Sequence, residues 1–243
     1  MDEAMLEIYT GLDRYGPGDI ESTKRALNLC NLPENPKILD IGCGSGASVM
    51  CLAQLIKCQI TAADNYDKFL NELRVKVRQK GVSGSISVIN SDMASPDFPK
   101  ESFDLIWCEG AIYNIGFENG LKVFSRFLKK GGYMAVTEIA WIKNRQPEEL
   151  KQFWAKEYPA MTTMLDNAET VKRTGMELKG MFELGKKAWE NYYNPLEARV
   201  KEYIKEKAGN EKALKAAALV QEEIDIYRAY GGYYDYVFYV MKK

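Results

Sequence analysis

Short apolar runs alternate with amphipathic segments along the first 142 residues. The runs have strand propensity and end in polar or glycine residues, and the segments between them have the apolar spacing of helices. The predicted strands are 37–42, 59–64, 85–90, 103–110 and 133–141, and the clearest helices are 47–56, 66–81 and 121–132. Strands that alternate with helices in this way predict a parallel sheet covered on both faces.

The pattern changes after residue 142. Helices are predicted at 147–159, at 167–175 and across 195–230 with a break near Gly209, and strands at 176–184 and 233–243. Because these two strands enclose a helical insertion, we predict that they close the sheet as an antiparallel pair. The predicted fold is therefore α/β: a Rossmann-like, seven-stranded, mostly parallel sheet with an antiparallel C-terminal strand pair and helices on both faces. Helices at 2–30, 146–173 and 195–230 are predicted to form a lid.

This organisation predicts one domain over residues 1–243. Within it, residues 1–35 supply N-terminal helices of the lid, residues 36–142 form a ligand-binding core, and residues 143–243 complete the sheet and form the substrate side. A length of 243 residues suits one large domain.

Composition narrows the chemistry. The chain has 33 Lys and Arg, 34 Asp and Glu, and no His. The balanced charge disfavours broad electrostatic capture of nucleic acid or of anionic membranes. The lack of His excludes imidazole bases and His metal ligands, and five cysteines without a CxxC pair disfavour a thiolate metal site, so no metal is predicted. With no signal-peptide pattern and no apolar run of membrane-spanning length, the expected location is the cytoplasm.

A glycine-rich turn carries the strongest chemical signal. Residues 40–46 read Asp-Ile-Gly-Cys-Gly-Ser-Gly between a predicted strand and a predicted helix. Glycines let the backbone approach a ligand closely, and the helix that follows presents free N–H groups. The spacing Gly42-x-Gly44 also satisfies a dinucleotide fingerprint, but the preceding acid Asp40 and the third glycine, Gly46, favour another nucleoside-containing ligand.

Polar residues follow the next three strands at the same edge of the sheet. Asp64 lies 22 residues after Gly42, close to the spacing of a carboxylate that accepts from ribose hydroxyls. Asp92 is placed to accept from an adenine amino group, with Met93 packed on the ring. Because the carboxyl ends of parallel strands converge, we expect one site there. Its predicted ligand-binding residues are Asp40, Gly42, Gly44, Gly46, Asp64, Asn65, Ser91, Asp92, Met93, Glu109 and Gly110.

These motifs, together with the run 103–117, resemble class I S-adenosylmethionine-dependent methyltransferases. The branch is similar to the ubiquinone/menaquinone biosynthesis C-methyltransferases, and the resemblance covers about residues 35–142. It implies S-adenosylmethionine as cofactor and S-adenosylhomocysteine as product. It further implies that Gly42, Gly44 and Gly46 contact the methionine part, that Asp64 binds the ribose, and that Asp92 and Met93 bind adenine. Glu109 and Gly110 would border the methionine group and the substrate.

The resemblance does not carry over an acceptor. We expect a small, apolar or aromatic molecule in a pocket lined by Tyr9, Tyr15, Trp141, Trp154 and Tyr193. Methyl transfer to it is an in-line displacement that depends mainly on positioning and exclusion of water. If a base is needed, Glu109 is the first candidate catalytic residue, and Tyr113 is the candidate for orienting the acceptor.

Other functions stay open at this point. An RNA or protein methyltransferase is one alternative, although the turn after the fourth strand reads CEGAIYN and lacks the Asn/Asp-Pro-Pro-aromatic pattern of amino-methylating enzymes. A dinucleotide-dependent oxidoreductase and a non-catalytic protein that binds S-adenosylmethionine or a nucleotide are others. The oligomeric state, including a homodimer, is also open.

Overall fold

The computed structural model describes residues 3–243. Five strands and three helices follow the predicted alternation along residues 37–141. The strands are β1 (Lys37–Ile41), β2 (Gln59–Asp64), β3 (Ile86–Asn90), β4 (Phe103–Cys108) and β5 (Leu128–Trp141). The helices are α3 (Ala47–Leu55), α4 (Asp67–Gln79) and α5 (Phe117–Ser125), and a 3₁₀ turn spans Ile112–Ile115.

The sheet has the predicted closing pair. Strand β7 (Glu177–Glu183) and strand β8 (Tyr234–Lys242) are antiparallel to each other, and β8 lies between β7 and β5. The order is β3-β2-β1-β4-β5-β8-β7, and a two-residue strand, β6 (Thr162–Thr163), pairs with the end of β5. Both the mostly parallel sheet and its antiparallel C-terminal pair are thereby confirmed. The order reverses between β1 and β4, which is where ligands bind in open α/β sheets.

The strands are apolar on both faces because helices cover both faces. In β1, Ile38, Leu39 and Ile41 are all fully buried. Ile38 packs into the core on one side of the sheet, and Leu39 and Ile41 pack into the core on the other. The carboxyl ends of the central strands are therefore held rigidly from two sides.

Two helix boundaries differ from the prediction. The predicted helix 121–132 ends at Ser125 because Leu128 already pairs with Phe103, so the Lys-Lys-Gly-Gly stretch begins the long strand β5. The helix expected to begin at 195 is α8 (Lys186–Glu206), with Pro195 in its interior. Proline cannot donate a helical hydrogen bond. Trp189, six residues before Pro195 in the same helix, is buried, and its burial favours the helical conformation despite the proline.

The lid is smaller than predicted. Helix α1 (Glu3–Tyr9) packs with α8 and α9 (Glu211–Tyr230), and α6 (Glu148–Glu157) adds Leu150 and Trp154 to the same aromatic cluster. Helix α2 (Ile20–Leu27), predicted as lid, packs on α3, and α7 (Met164–Arg173) packs on α5 and β7. Their buried residues, such as Ala26 and Val171, belong to the sheet cores, which is why these two helices cover the sheet instead.

Among residues 3–243, no helix is both long enough and apolar enough to cross a bilayer.

Candidate functional site

The glycine-rich turn closes tightly after β1. The amides of Gly42 and Cys43 both donate to the carbonyl of Ala63, at 2.8 and 3.0 Å. Gly42 has a φ of 77° and Gly44 a φ of 52°, backbone conformations that favour glycine. A Cβ on Gly42 would lie 2.4 Å from the Cβ of Ala111, and one on Gly44 would lie 2.9 Å from the ring of Tyr15. The turn is thus a cradle that side chains would fill.

Two of the predicted site residues, Gly46 and Asp40, lie beneath this cradle. They do not line the main cavity, which is the larger of two cavities and lies above the cradle. Gly46 begins α3 with a φ of 87°, and its α-carbon faces Leu73 of α4. Asp40 is 1% exposed, and its Oδ2 accepts from the Ser48 hydroxyl at 2.5 Å while Oδ1 has no hydrogen-bond partner. Burial raises the pKa of Asp40 to about 8. Gly46 therefore packs against α4 and does not line the cavity, and its contact with the methionine part of the cofactor stays a prediction.

Asp64 joins the ends of β1 and β2. Its Oδ2 accepts from the Gly44 amide at 2.9 Å, and its Oδ1 accepts from the Tyr66 amide at 3.0 Å. Each carboxylate oxygen has two acceptor sites, so one remains on each oxygen for a ligand hydroxyl. Asp64 and Asn65 both line the main cavity, as predicted.

The residues after β3 line the same cavity. Ser91, Asp92 and Met93 all border it. Asp92 forms a turn in which its Oδ1 accepts from the Ala94 amide at 2.9 Å. Met93 is half-buried beside Gly42, with its methyl carbon 2.9 Å from the position of an added Gly42 Cβ. An exposed acceptor and a thioether thus flank one end of the cavity.

Glu109, at the end of β4, is held in a buried ion pair. Its Oε2 accepts from Arg14 at 2.6 Å, and its Oε1 accepts from the Trp107 indole at 2.8 Å. The Arg14 and Glu109 side chains are only 13% and 8% exposed. The next amide, that of Gly110, donates to the Thr137 hydroxyl at 2.7 Å. Glu109 therefore ties the segment between α1 and α2 to the sheet, a role that sequence reasoning missed because Arg14 belongs to no recognisable motif.

The segment between α1 and α2 also forms the outer wall of the main cavity, whose volume is about 520 Å³. The Tyr15 ring lies over Gly44 and packs against Phe69 with ring centroids 4.1 Å apart. Its hydroxyl donates to Glu72 at 2.9 Å. Arg14, Gly16 and Pro17 complete this wall.

A second cavity of about 210 Å³ lies between the sheet and the lid. Three of the aromatic residues predicted for an acceptor pocket line it: Tyr9, Tyr15 and Trp154. Trp141 and Tyr193 do not line either cavity. Tyr113 lines both cavities, as do Tyr15 and Gly110. Sequence reasoning missed nine lining residues, among them Trp189, Tyr192, Glu223 and Tyr236.

The main cavity fits S-adenosylmethionine by the chemistry of its donors and acceptors. The turn leaves a cradle without side chains, and Asp64 offers acceptor sites for hydroxyl groups. A volume of about 520 Å³ lies within the range of cofactor sites.

Fold, site and sequence matches together support a class I S-adenosylmethionine-dependent methyltransferase. Residues 38–132 match the family model described as a methyltransferase domain. The matched residues run from β1 into the beginning of β5 and include the cradle and Asp64. The class predicted from the motifs is confirmed.

Relatives by sequence are methyltransferases of several kinds. The chain is 27% identical over 198 residues to phosphoethanolamine N-methyltransferase of Plasmodium falciparum, covering 79% of this chain and 71% of that protein. It is 29% identical over 107 residues to the ubiquinone/menaquinone biosynthesis C-methyltransferase UbiE of Shewanella sediminis, covering 43% of each. Because the match spans less than half of UbiE, it does not indicate which methyl acceptor this chain uses.

Solved structures share the whole fold. A SAM-dependent methyltransferase from Geobacter sulfurreducens, in complex with S-adenosyl-L-homocysteine, superposes with a TM-score of 0.85. The superposition covers 99% of this chain and 98% of that one at 16% identity. The likeness therefore includes the lid and the C-terminal strand pair, which lie outside the residues matched by the family model.

Proposed function

We propose that this protein transfers the methyl group of S-adenosylmethionine to a small molecule held in the second cavity. The observation that carries the proposal is the shared wall between the two cavities. Tyr15, Gly110 and Tyr113 border both of them, so an acceptor in the second cavity would face a cofactor in the first. A volume of about 210 Å³ has room for a small molecule and not for a folded polypeptide or a nucleic acid duplex.

Three groups of residues would hold the cofactor in this proposal. Asp64 would accept from the ribose hydroxyls, Asp92 and Met93 would bind the adenine, and the cradle of Gly42 and Gly44 would receive the methionine part. When bound, the cofactor supplies an activated methyl group on a sulfonium. What remains for the chain is to position the acceptor and to exclude water, for which the lid and the aromatic lining are suited.

Glu109 and Tyr113 take different parts in the proposal. Both oxygens of Glu109 already accept hydrogen bonds from Arg14 and Trp107, which favours a positioning role for it over that of a base. Tyr113 lies on the wall between the cavities and would orient the acceptor. Residues 143–243 supply much of the acceptor side, since Trp154 and Tyr192 line the second cavity. Location in the cytoplasm and assembly as a homodimer stay predictions.

Calorimetry and a transfer assay test the proposal. The protein would be titrated with S-adenosylmethionine, S-adenosylhomocysteine and NAD, and then incubated with S-adenosylmethionine and a panel of small amines, phenols and thiols. We expect both adenosyl compounds to bind, NAD not to bind, and S-adenosylhomocysteine to form with at least one acceptor. Tight NAD binding without a response to the adenosyl compounds would overturn the proposal. Cofactor binding without transfer to any member of the panel would refute the small-molecule acceptor.

The second cavity can be tested separately by partly filling it. Ile139 lines this cavity and not the first. Ile139→Phe should lower transfer at least tenfold while leaving the Kd for S-adenosylhomocysteine within about twofold. Val123 packs near the sheet but lines neither cavity, so Val123→Ile is the control for enlarging a side chain outside the cavities. Unchanged transfer in the folded Ile139 variant would place the acceptor elsewhere.

A further inference from the structure

The lining of the second cavity combines aromatic rings with a single charged group. Six rings from the lid and the sheet border it in addition to Tyr15 and Phe69: Tyr9, Tyr113, Trp154, Trp189, Tyr192 and Tyr236. Glu223, on α9, is the only charged side chain among the residues of 3–243 that line it. A cavity with this lining is apolar and π-rich, and the one charge that it contains is negative.

Glu223 has no cationic partner within residues 3–243. Its Oε1 accepts from the Tyr193 hydroxyl at 2.8 Å, the one hydrogen bond that the described residues provide. Burial raises the pKa of Glu223, and the hydrogen bond from Tyr193 opposes that rise. The negative charge of Glu157 acts in the same direction as burial and also raises the pKa of Glu223. The cavity thus offers a carboxylate that lacks a counter-ion.

The rings around Glu223 are held in fixed positions. Trp189 stacks on Tyr227 with centroids 4.4 Å apart, and its indole N–H donates to Asp235 at 2.6 Å. Tyr192 packs on Tyr193 with centroids 4.9 Å apart. Because these contacts are made within the chain, they fix the rings in place and lower the cost of ordering them around a ligand.

We propose that the second cavity binds the alkylammonium group of the acceptor, with Glu223 as its counter-ion and the surrounding rings as its walls. A cation over an aromatic face is attracted by the ring quadrupole, most strongly in a site shielded from water. A phosphate or carboxylate group in the same place would face Glu223 without a compensating cation. The inference rests on the proposed function, and it narrows the acceptor class to small molecules that carry an amine or ammonium group.

A pair of isosteric probes tests the charge requirement. Choline carries a permanent ammonium, and 3,3-dimethyl-1-butanol has the same shape with carbon in place of nitrogen. Each would be titrated into the full chain saturated with S-adenosylhomocysteine, with quenching of tryptophan fluorescence as the readout, since Trp154 and Trp189 line the cavity. We expect choline to bind at least tenfold more tightly than the alcohol. Equal affinity for the two probes would overturn the proposal.

Substitutions then locate the site. Glu223→Gln should lower choline affinity at least tenfold and leave the Kd for S-adenosylhomocysteine within twofold, whereas Glu222→Gln, at the exposed neighbouring position, should change neither. Tyr192→Phe keeps a ring in the cavity and should bind choline within threefold of the wild type, but Tyr192→Leu should lose at least fivefold. Circular dichroism would verify that each variant is folded. Full choline affinity in folded Glu223→Gln would refute the counter-ion.

The two proposals fail separately in this design. If S-adenosylhomocysteine binds and choline does not, the cavity is a methyl-acceptor site without ammonium recognition, and only the further inference is refuted. If choline binds with the expected preference and S-adenosylhomocysteine gives no response, the ammonium site stands and the proposed function falls.

Discussion

Removing one partner of the Arg14–Glu109 ion pair should cost more stability than removing both. The two side chains are 13% and 8% exposed, with donor and acceptor 2.6 Å apart. Breaking a buried pair from one side leaves an uncompensated charge and typically costs about 3–5 kcal/mol. In Glu109→Gln the amide oxygen can still accept from Trp107, so we take the lower end, about 3 kcal/mol. For a chain of this size, that corresponds to a fall in Tm of about 6–12 °C.

A double-mutant cycle measures the coupling. Arg14→Met, Glu109→Gln and the double variant would be unfolded in urea and by heat, with circular dichroism as the readout. Because the double variant contains no unpaired charge at this place, it should be more stable than either single variant, with a coupling energy of at least about 2 kcal/mol. The exposed pair Lys122–Glu118, at 59% and 42% exposure, is the matched control and should couple far more weakly, because solvent screens its charges. Additive single effects at Arg14 and Glu109 would refute the reasoning.

Three further predictions concern the cradle and its supports. Gly42→Ala places a Cβ 2.4 Å from that of Ala111 at a φ of 77°, so S-adenosylhomocysteine should bind at least tenfold more weakly by calorimetry; unchanged binding would contradict the cradle. Asp64→Ala should weaken the same ligand by about 1–3 kcal/mol, and equal affinity would place the ribose elsewhere. Asp40 holds its proton up to about pH 8 when folded and releases it near 3.8 when unfolded, so the free energy of unfolding should fall as pH rises between these values. Asp40→Asn should flatten that fall in urea titrations at pH 5, 7 and 9, and an equally steep fall would refute the assignment.

The sheet and the ligand-contacting edge of the site could be predicted because their signals are local. In a parallel strand buried on both faces, a continuous apolar run identifies the strand, and the residue after it marks the carboxyl edge. Asp64, Asp92 and Gly42 were found in this way. The same local signal does not indicate whether a residue of the motif lines the cavity or lies buried beneath it. Asp40 and Gly46 belong to the same motif as Gly42, yet neither lines the cavity, because Asp40 is buried in β1 and Gly46 packs against Leu73 of α4.

The acceptor side depends on contacts between distant parts of the chain. Glu223 stands in a charged helical stretch whose composition predicts a solvated face, but packing of α9 against α1 and α8 turns this position inward. Arg14 and Glu109 are 95 residues apart, and nothing near either one indicates the other. The N-terminal residues 9–15 include Arg14 and also place Tyr15 over the cradle and Tyr9 in the second cavity. One short segment therefore contributes to both cavities, so a change there should alter cofactor binding and acceptor choice together, whereas a change on α9 at Glu223 should alter acceptor choice alone.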